Sequence, residues 1–260
     1  MKKSKVLTTF VVLVYIFLFA PLVIIAMTSI GTENYIVFPP KGFSLQWFIT
    51  VFKSESFIKS MGTSFLISTV STLSALVIGM PAAYGLSRYN FKGKDILKSF
   101  FFSPLIVPGI VVGFSLFQFL LVKMNLSVYA SLFIGHTLII IPYIIRVVGS
   151  SLEGFDYSIE EAAMSLGCKK SQTFFKVVLP NITSGVMAAF MLAFINSFNN
   201  VPVSIFLTGP GVSTLPTTMM NYVEYNYDPT VSALSVILMI LTIGIMYILE
   251  KTLELNNFAG

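Results

Sequence analysis

The sequence predicts an all-α, polytopic membrane protein with six transmembrane helices in one domain over residues 1–260. Three observations carry this reading. The first is composition: 55% of the residues are hydrophobic, only 10% are charged and the mean hydropathy is +0.87, far from the balance of a soluble domain. The second is six long apolar runs, at residues 6–27, 60–86, 97–122, 128–148, 182–207 and 231–249. A spanning helix needs about 20 apolar residues, because each rises about 1.5 Å through a hydrocarbon core of about 30 Å. The third is charge placement. With a cytosolic amino terminus, twelve of the 16 Lys and Arg residues fall inside: Lys2, Lys3, Lys5, Arg88, Lys92, Lys94, Lys98, Arg146, Lys169, Lys170, Lys176 and Lys251. Lys41, Lys53, Lys59 and Lys123 fall outside, so the bias has the direction of the positive-inside rule and both termini are expected in the cytosol.

The first run follows a basic start, as a signal peptide does. It is too long for a typical signal core and no small-x-small cleavage site follows, so an uncleaved anchor is expected. In the outer loop Leu45, Phe48, Ile49 and Phe52 recur at helical spacing beside Trp47. They predict a short helix that lies in the membrane interface or packs on the bundle. The second run is rich in Ser, Thr, Gly and Ala, which let membrane helices approach closely. The third carries Ser115 and Gln118 as weak candidates for a solute path. The fourth holds the sole histidine, His136, beside Gly135, with Arg146 placed to reach water at the inner boundary. His136 lacks a carboxylate partner at any recognisable spacing, which favours a hydrogen-bonded structural role over a proton relay or path lining. The fifth contains Asn196, Asn199 and Asn200 at i, i+3 and i+4, an amide face that fits a translocation path or interhelical hydrogen bonds.

Several chemistries find no support. A lone cysteine, Cys168, makes neither an internal disulfide nor a paired-cysteine metal site, and no metal is expected. The net charge of +5 is scattered between apolar runs and forms no nucleic-acid patch. There is no G-x-x-x-x-G-K-[ST] sequence, so no cofactor is expected in this chain and energy must come from a partner. No set of catalytic residues is visible for a membrane enzyme. An ion-coupled secondary transporter would commonly carry midplane ionisable groups or repeated halves, and neither is seen.

The loop at 150–180 is the only long inside loop, and it is amphipathic. Ser158 followed three residues later by Glu161 predicts a capping box. Ile159, Ala162, Ala163 and Leu166 then share a face, with Glu160, Glu161 and Ser165 elsewhere around the helix. Gly167 suits a helix end in the left-handed region. A second helix is expected from a Ser171 cap through Phe174, Phe175, Val178 and Leu179 to a stop at Pro180. A helix lying on anionic lipid would carry Lys or Arg on its polar face; Glu160 and Glu161 instead form an acidic rim, which favours a protein partner over lipid.

Glu161-Ala162-Ala163, Gly167, Val177, Leu179 and Pro180 stand at the spacing of the EAA signature of bacterial ABC importer permeases, and the chain resembles that family. "LSRYNFKGK" at 86–94, Gly135-His136 with Pro142, "LEGFD" at 152–156, "FLTGP" at 206–210, "TLP" at 214–216 and "DPTVSALS" at 228–235 are similar to the polyamine-type branch that includes the second permease of spermidine/putrescine importers. The resemblance implies the type I ABC importer permease fold, with the loop forming a coupling helix that docks in a groove of a separate ATPase. It also implies two ATPase subunits that bind ATP and Mg, a second and non-identical permease, an external solute-binding protein, and location in the bacterial inner membrane. Polyamine permeases often carry acidic residues around the positions of Asn199 and Asn200; the amides here admit an opine-like or aminoalkylphosphonate-like solute as well as a polyamine-like one.

Overall fold

The computed structural model describes residues 5–252; Lys2 and Lys3, counted in the charge bias, lie outside them. In chain order the helices are α1 (Lys5–Thr28), α2 (Gln46–Lys53), α3 (Glu55–Arg88), α4 (Lys94–Ile106), α5 (Gly109–Leu116), α6 (Val128–Glu153) and α7 (Tyr157–Ser165). There follow α8 (Lys170–Thr173), α9 (Leu179–Asn181), α10 (Thr183–Phe198), α11 (Ser204–Leu207), α12 (Leu215–Tyr225) and α13 (Thr230–Thr252). Phe117–Lys123 and Phe174–Val178 are π-helical, and no strand occurs among the described residues. An isolated bridge joins Gly209 and Val212.

The long apolar helices α1, α3, α6 and α13 are each able to cross a membrane. Two further apolar segments are long enough only as bent helix pairs, the geometry of a broken span or a re-entrant loop. Residues 94–106 meet residues 109–123 at 99°, and residues 170–181 meet α10 at 75°. The first bend breaks the third apolar run, and the second lies at the start of the fifth. Val107 is extended, at φ −76° and ψ 132°, because the Pro108 ring disfavours helical backbone in the residue before it. In the fifth run the helix stops at Phe198 and Asn199 becomes its C-cap; Pro202 intervenes before the single turn of α11.

The chain forms two compact units. One is built from residues up to Lys59 together with Thr218–Ile248, the other mainly from Ser60–Thr217. In the first unit, α1 is exposed along its apolar window, as suits a helix whose surroundings are lipid or another chain. Thr28 Oγ1 donates to Ser232 Oγ at 3.1 Å, tying α1 to α13. The interfacial stripe expected around Trp47 is split between two environments. Trp47 and Val51 are buried, with Trp47 Nε1 donating to Gly31 O at 2.9 Å, whereas Leu45, Ile49 and Phe52 remain exposed. The buried indole needs an acceptor for its N–H, and the Gly31 carbonyl supplies it.

In the second unit α6 is the central element. Ile140, Ile144, Val148 and Leu152 recur every four residues and are fully buried. They form one cluster with Ala75 and Ala83 of α3 and Ala189 and Ala193 of α10. The alanines permit close backbone approach, so dispersion between well-fitted surfaces does the work that hydrophobicity does in water. A close approach to backbone lies at Gly113 of α5. A Cβ there would sit 2.6 Å from the Pro202 carbonyl oxygen and 3.0 Å from Val203 Cα, so only glycine fits without moving backbone.

Candidate functional site

The loop between α6 and α10 folds as a helical hairpin. Asp156 Oδ1 accepts from Ser158 N at 2.9 Å, so Asp156 is the N-cap of α7 and Ser158 lies within the helix. The expected Ser158/Glu161 capping box is replaced by a cap two residues earlier, where a carboxylate also faces the positive end of the helix dipole. The backbone N–H of Ser158, then its hydroxyl, holds the Asp156 carboxyl below its ordinary pKa. At the other end Gly167 has φ +92° and the helix closes in a Schellman motif. Gly167 N donates to Met164 O at 3.0 Å and Cys168 N to Ala163 O at 3.1 Å.

The second limb differs from expectation at both ends. Lys169 precedes α8 and its N–H donates to Gln172 Oε1 at 3.1 Å, leaving Ser171 inside the helix. Pro180 does not stop the chain's helical course. It sits inside α9 after the π turn, and the bend comes at Ile182.

Along this hairpin the structure places the expected docking residues unequally. Leu166 is 87% exposed, Ile159 44%, and Glu161 and Ala162 are exposed; Ala163 and Leu179 are partly buried, while Pro180 and Gly167 are exposed. Glu160 is corrected: it is not on an accessible acidic rim. It is completely buried, its Oε1 accepting from Arg88 Nε at 2.6 Å and its Oε2 from Tyr84 OH at 2.8 Å. Glu160 lies about 100° around the helix from Ile159, which turns it towards α3. Arg88 and Tyr84 lacked any signal tying them to this loop, since 72 and 76 residues separate them from Glu160.

A second polar feature lies deeper in the same unit. Asn196 and Asn200 line a cavity of about 210 Å³ with Tyr143 of α6, Val112 of α5, Pro104 of α4 and other apolar groups. Asn196 Nδ2 donates to Leu192 O at 2.8 Å, and Asn200 Oδ1 accepts from Val203 N at 3.0 Å. Asn199 is exposed and does not line it, because the helix ends at Phe198 and the three amides no longer share a face. Ser115 and Gln118 are exposed and also lie outside it. His136 is buried and bridges three helices. Its Nδ1 is 2.8 Å from Ser197 Oγ of α10 and its Nε2 is 3.0 Å from Ser204 Oγ of α11. A larger cavity of about 510 Å³ is lined by Ser87, Lys98, Arg146, Ser150, Glu153 and apolar side chains; no sequence pattern indicated it.

Residues 75–255 match the family described as "Binding-protein-dependent transport system inner membrane component". The spermidine/putrescine transport system permease protein PotC of Escherichia coli (strain K12) is 29% identical over 96% of this chain and 94% of its own length. The putrescine transport system permease protein PotI of the same strain is 27% identical over 86% of this chain and 82% of its own. The sulfoquinovosyl glycerol transport system permease protein SmoH of Agrobacterium fabrum (strain C58 / ATCC 33970) is 27% identical over 84% and 79%. Among solved structures, a bacterial ABC transporter that imports the acidic polysaccharide alginate matches with a TM-score of 0.73 at 16% identity, over 95% of this chain and 94% of that one. The inward-facing MetNI methionine ABC transporter matches with a TM-score of 0.63 at 21% identity, over 76% and 94%. The fold is that of an ABC importer permease.

Proposed function

Because the chain belongs to the family of binding-protein-dependent transport system inner membrane components, we propose that it forms half of the path for a small polar solute and takes its power through the hairpin at residues 150–180. It is a multi-pass permease subunit of an ABC importer, without hydrolytic chemistry of its own. In the proposed assembly, two separate ATPase subunits bind ATP and Mg, a related but non-identical permease completes the path, and an external binding protein delivers the solute. Both termini face the cytosol, which puts the hairpin on the ATPase side.

The observation that carries this reading is the hairpin itself. It is capped at Asp156 and closed at Gly167, and it presents Leu166 and part of Ile159 outward. Apolar side chains of that size on a polar, helix-capped projection suit a protein groove. The solute reading rests on the cavity at Asn196 and Asn200, whose lining has amides and a phenol but no formal charge. Uncharged donors and acceptors serve a zwitterionic or anionic solute, such as an opine-like or aminoalkylphosphonate-like compound, as well as a polyamine-like one. Kinship with the spermidine/putrescine permeases keeps the last in play.

The test is purification of this chain with its neighbouring gene products from membranes. ATPase subunits are expected to copurify, and Gly167→Pro is expected to abolish solute uptake, since it adds a ring at a positive φ and removes the N–H that bonds Met164 O. Wild-type chain purified without an ATPase, together with uptake intact in Gly167→Pro and Glu161→Lys, overturns the reading.

A further inference from the structure

The hairpin is fastened to α3, a helix that does not adjoin it in sequence, by both of its limbs. From the first limb, Glu160 holds Arg88 Nε at 2.6 Å and Tyr84 OH at 2.8 Å. The Arg88 side chain is 10% exposed and that of Glu160 1%, so the ion pair is removed from water. The guanidinium is fixed on its other sides as well. Arg88 Nη2 donates to Phe155 O at 3.4 Å, and its Cζ lies 5.1 Å from the Tyr157 ring centre and 6.0 Å from that of Phe155. From the second limb, the Phe174 ring packs edge-on to Tyr84 at 5.1 Å, and Lys170 Nζ sits 5.2 Å above Tyr89. One short stretch, Tyr84 to Tyr89, is therefore gripped from two sides.

The other attachments of the hairpin are of a different kind. It joins α6 through the turn at Gly154 and Phe155 and through Val178, which is buried in one apolar cluster with Val148 and Leu152, and it joins α10 through the bend at Ile182. A turn and a bend yield when pulled, and apolar packing is non-directional and can slide; a buried, bidentate-capable guanidinium pair flanked by rings holds one geometry. The geometry points to α3 as the helix through which displacement of the docked hairpin enters the bundle, with Arg88 as the positioning residue that locks α7 to it. A helix of 34 residues is about 50 Å long, so a movement at the Arg88 end is carried across the full thickness of the membrane. Arg88 touches neither solute nor nucleotide in this account; it acts by making the hairpin and α3 one rigid body. The inference rests on the proposed docking of an ATPase at the hairpin.

The experiment uses the complete importer reconstituted in lipid vesicles, with this chain carrying Arg88→Met or Arg88→Lys. Wild-type copurification of the ATPase tests the docking reading separately and comes first. Arg88→Met is expected to keep the ATPase bound while solute moved per ATP hydrolysed falls about tenfold, the size of a typical coupling between sites. Arg88→Lys, which keeps a charge for Glu160, is expected to recover part of that loss. Spin labels at Lys92→Cys and Ser165→Cys, on a Cys168→Ser background, are expected to give one distance distribution with and without trapped nucleotide in the wild type, and two in Arg88→Met. Unchanged transport per ATP in Arg88→Met overturns the inference. So does a wild-type label distance that shifts on nucleotide trapping. Loss of ATPase binding in both Arg88 variants also overturns it, because the pair then only shapes the docking surface.

Discussion

Asp156 shows how one side chain sets where α7 begins. Ser158 and Glu161 present a familiar cap spacing, yet the carboxylate two residues earlier reaches the Ser158 N–H at 2.9 Å and takes the role. Two cap candidates this close are not separable by pattern, since Asp and Ser rank about equally as N-caps. Asp156→Ala is expected to lower amide protection over the first turn of α7, while Ser158→Ala leaves a cap in place and costs less. The pH dependence follows from the direction of the Asp156 shift. Its folded pKa lies below the ordinary value, so its contribution is present at neutral pH and is lost as pH falls through the folded pKa. Hydrogen exchange at neutral and acidic pH checks this: the difference between wild type and Asp156→Ala is expected at neutral pH and vanishes in acid. Glu160 makes the complementary point. Its acidity was legible but its direction was not, because the partner that turns it inward, Arg88, lies 72 residues away.

Among the helices, the membrane itself made most positions legible. Irregular backbone cannot be left in lipid, so apolar runs of about 20 residues or more had to become helical. The breaks were less visible, because proline alone does not announce them. Pro21, Pro81, Pro104 and Pro142 all lie inside helices, while the chain turns sharply just before Pro108. Pro142 is buried in the packed face of α6, which continues through it without a break; Pro108 is exposed and followed by Gly109, with little to resist the turn. The bend brings Gly113 against the Pro202 to Phe206 segment, a contact that no local pattern encodes. Gly113→Ala is expected to destabilise the chain by about 1–3 kcal/mol, since the added Cβ meets backbone that cannot step aside. Gly149→Ala in α6 is the contrast: nothing lies within 4 Å of its added Cβ, and helix propensity gives a gain of up to about 1 kcal/mol. Unfolding in a detergent or denaturant series, with the two variants in parallel, decides whether close approach or propensity governs.

Across the chain as a whole, charge and the hairpin make one joint statement about sidedness. The basic residues cluster at Lys92, Lys94 and Lys98 and again at Lys169, Lys170 and Lys176, on loops separated by an even number of expected crossings. The positive-inside rule predicts both loops in the cytosol, and the proposed ATPase docking on α7 requires the second to be there for a separate reason. The native Cys168 lies one residue beyond the Gly167 corner, is partly exposed and is the chain's only thiol, so it reports this side without any substitution. A membrane-impermeant maleimide is expected to label it in inside-out vesicles and to leave it unlabelled in right-side-out ones. Lys41→Cys on a Cys168→Ser background, placed in the opposite loop, is expected to give the reverse pattern. Occupation of the hairpin adds a second readout. If the ATPase covers Ile159 and Leu166, labelling of Cys168 in inside-out vesicles slows in the assembled importer relative to this chain alone. Labelling from the outer side removes the orientation and the docking reading together, because no ATPase reaches a hairpin on that face.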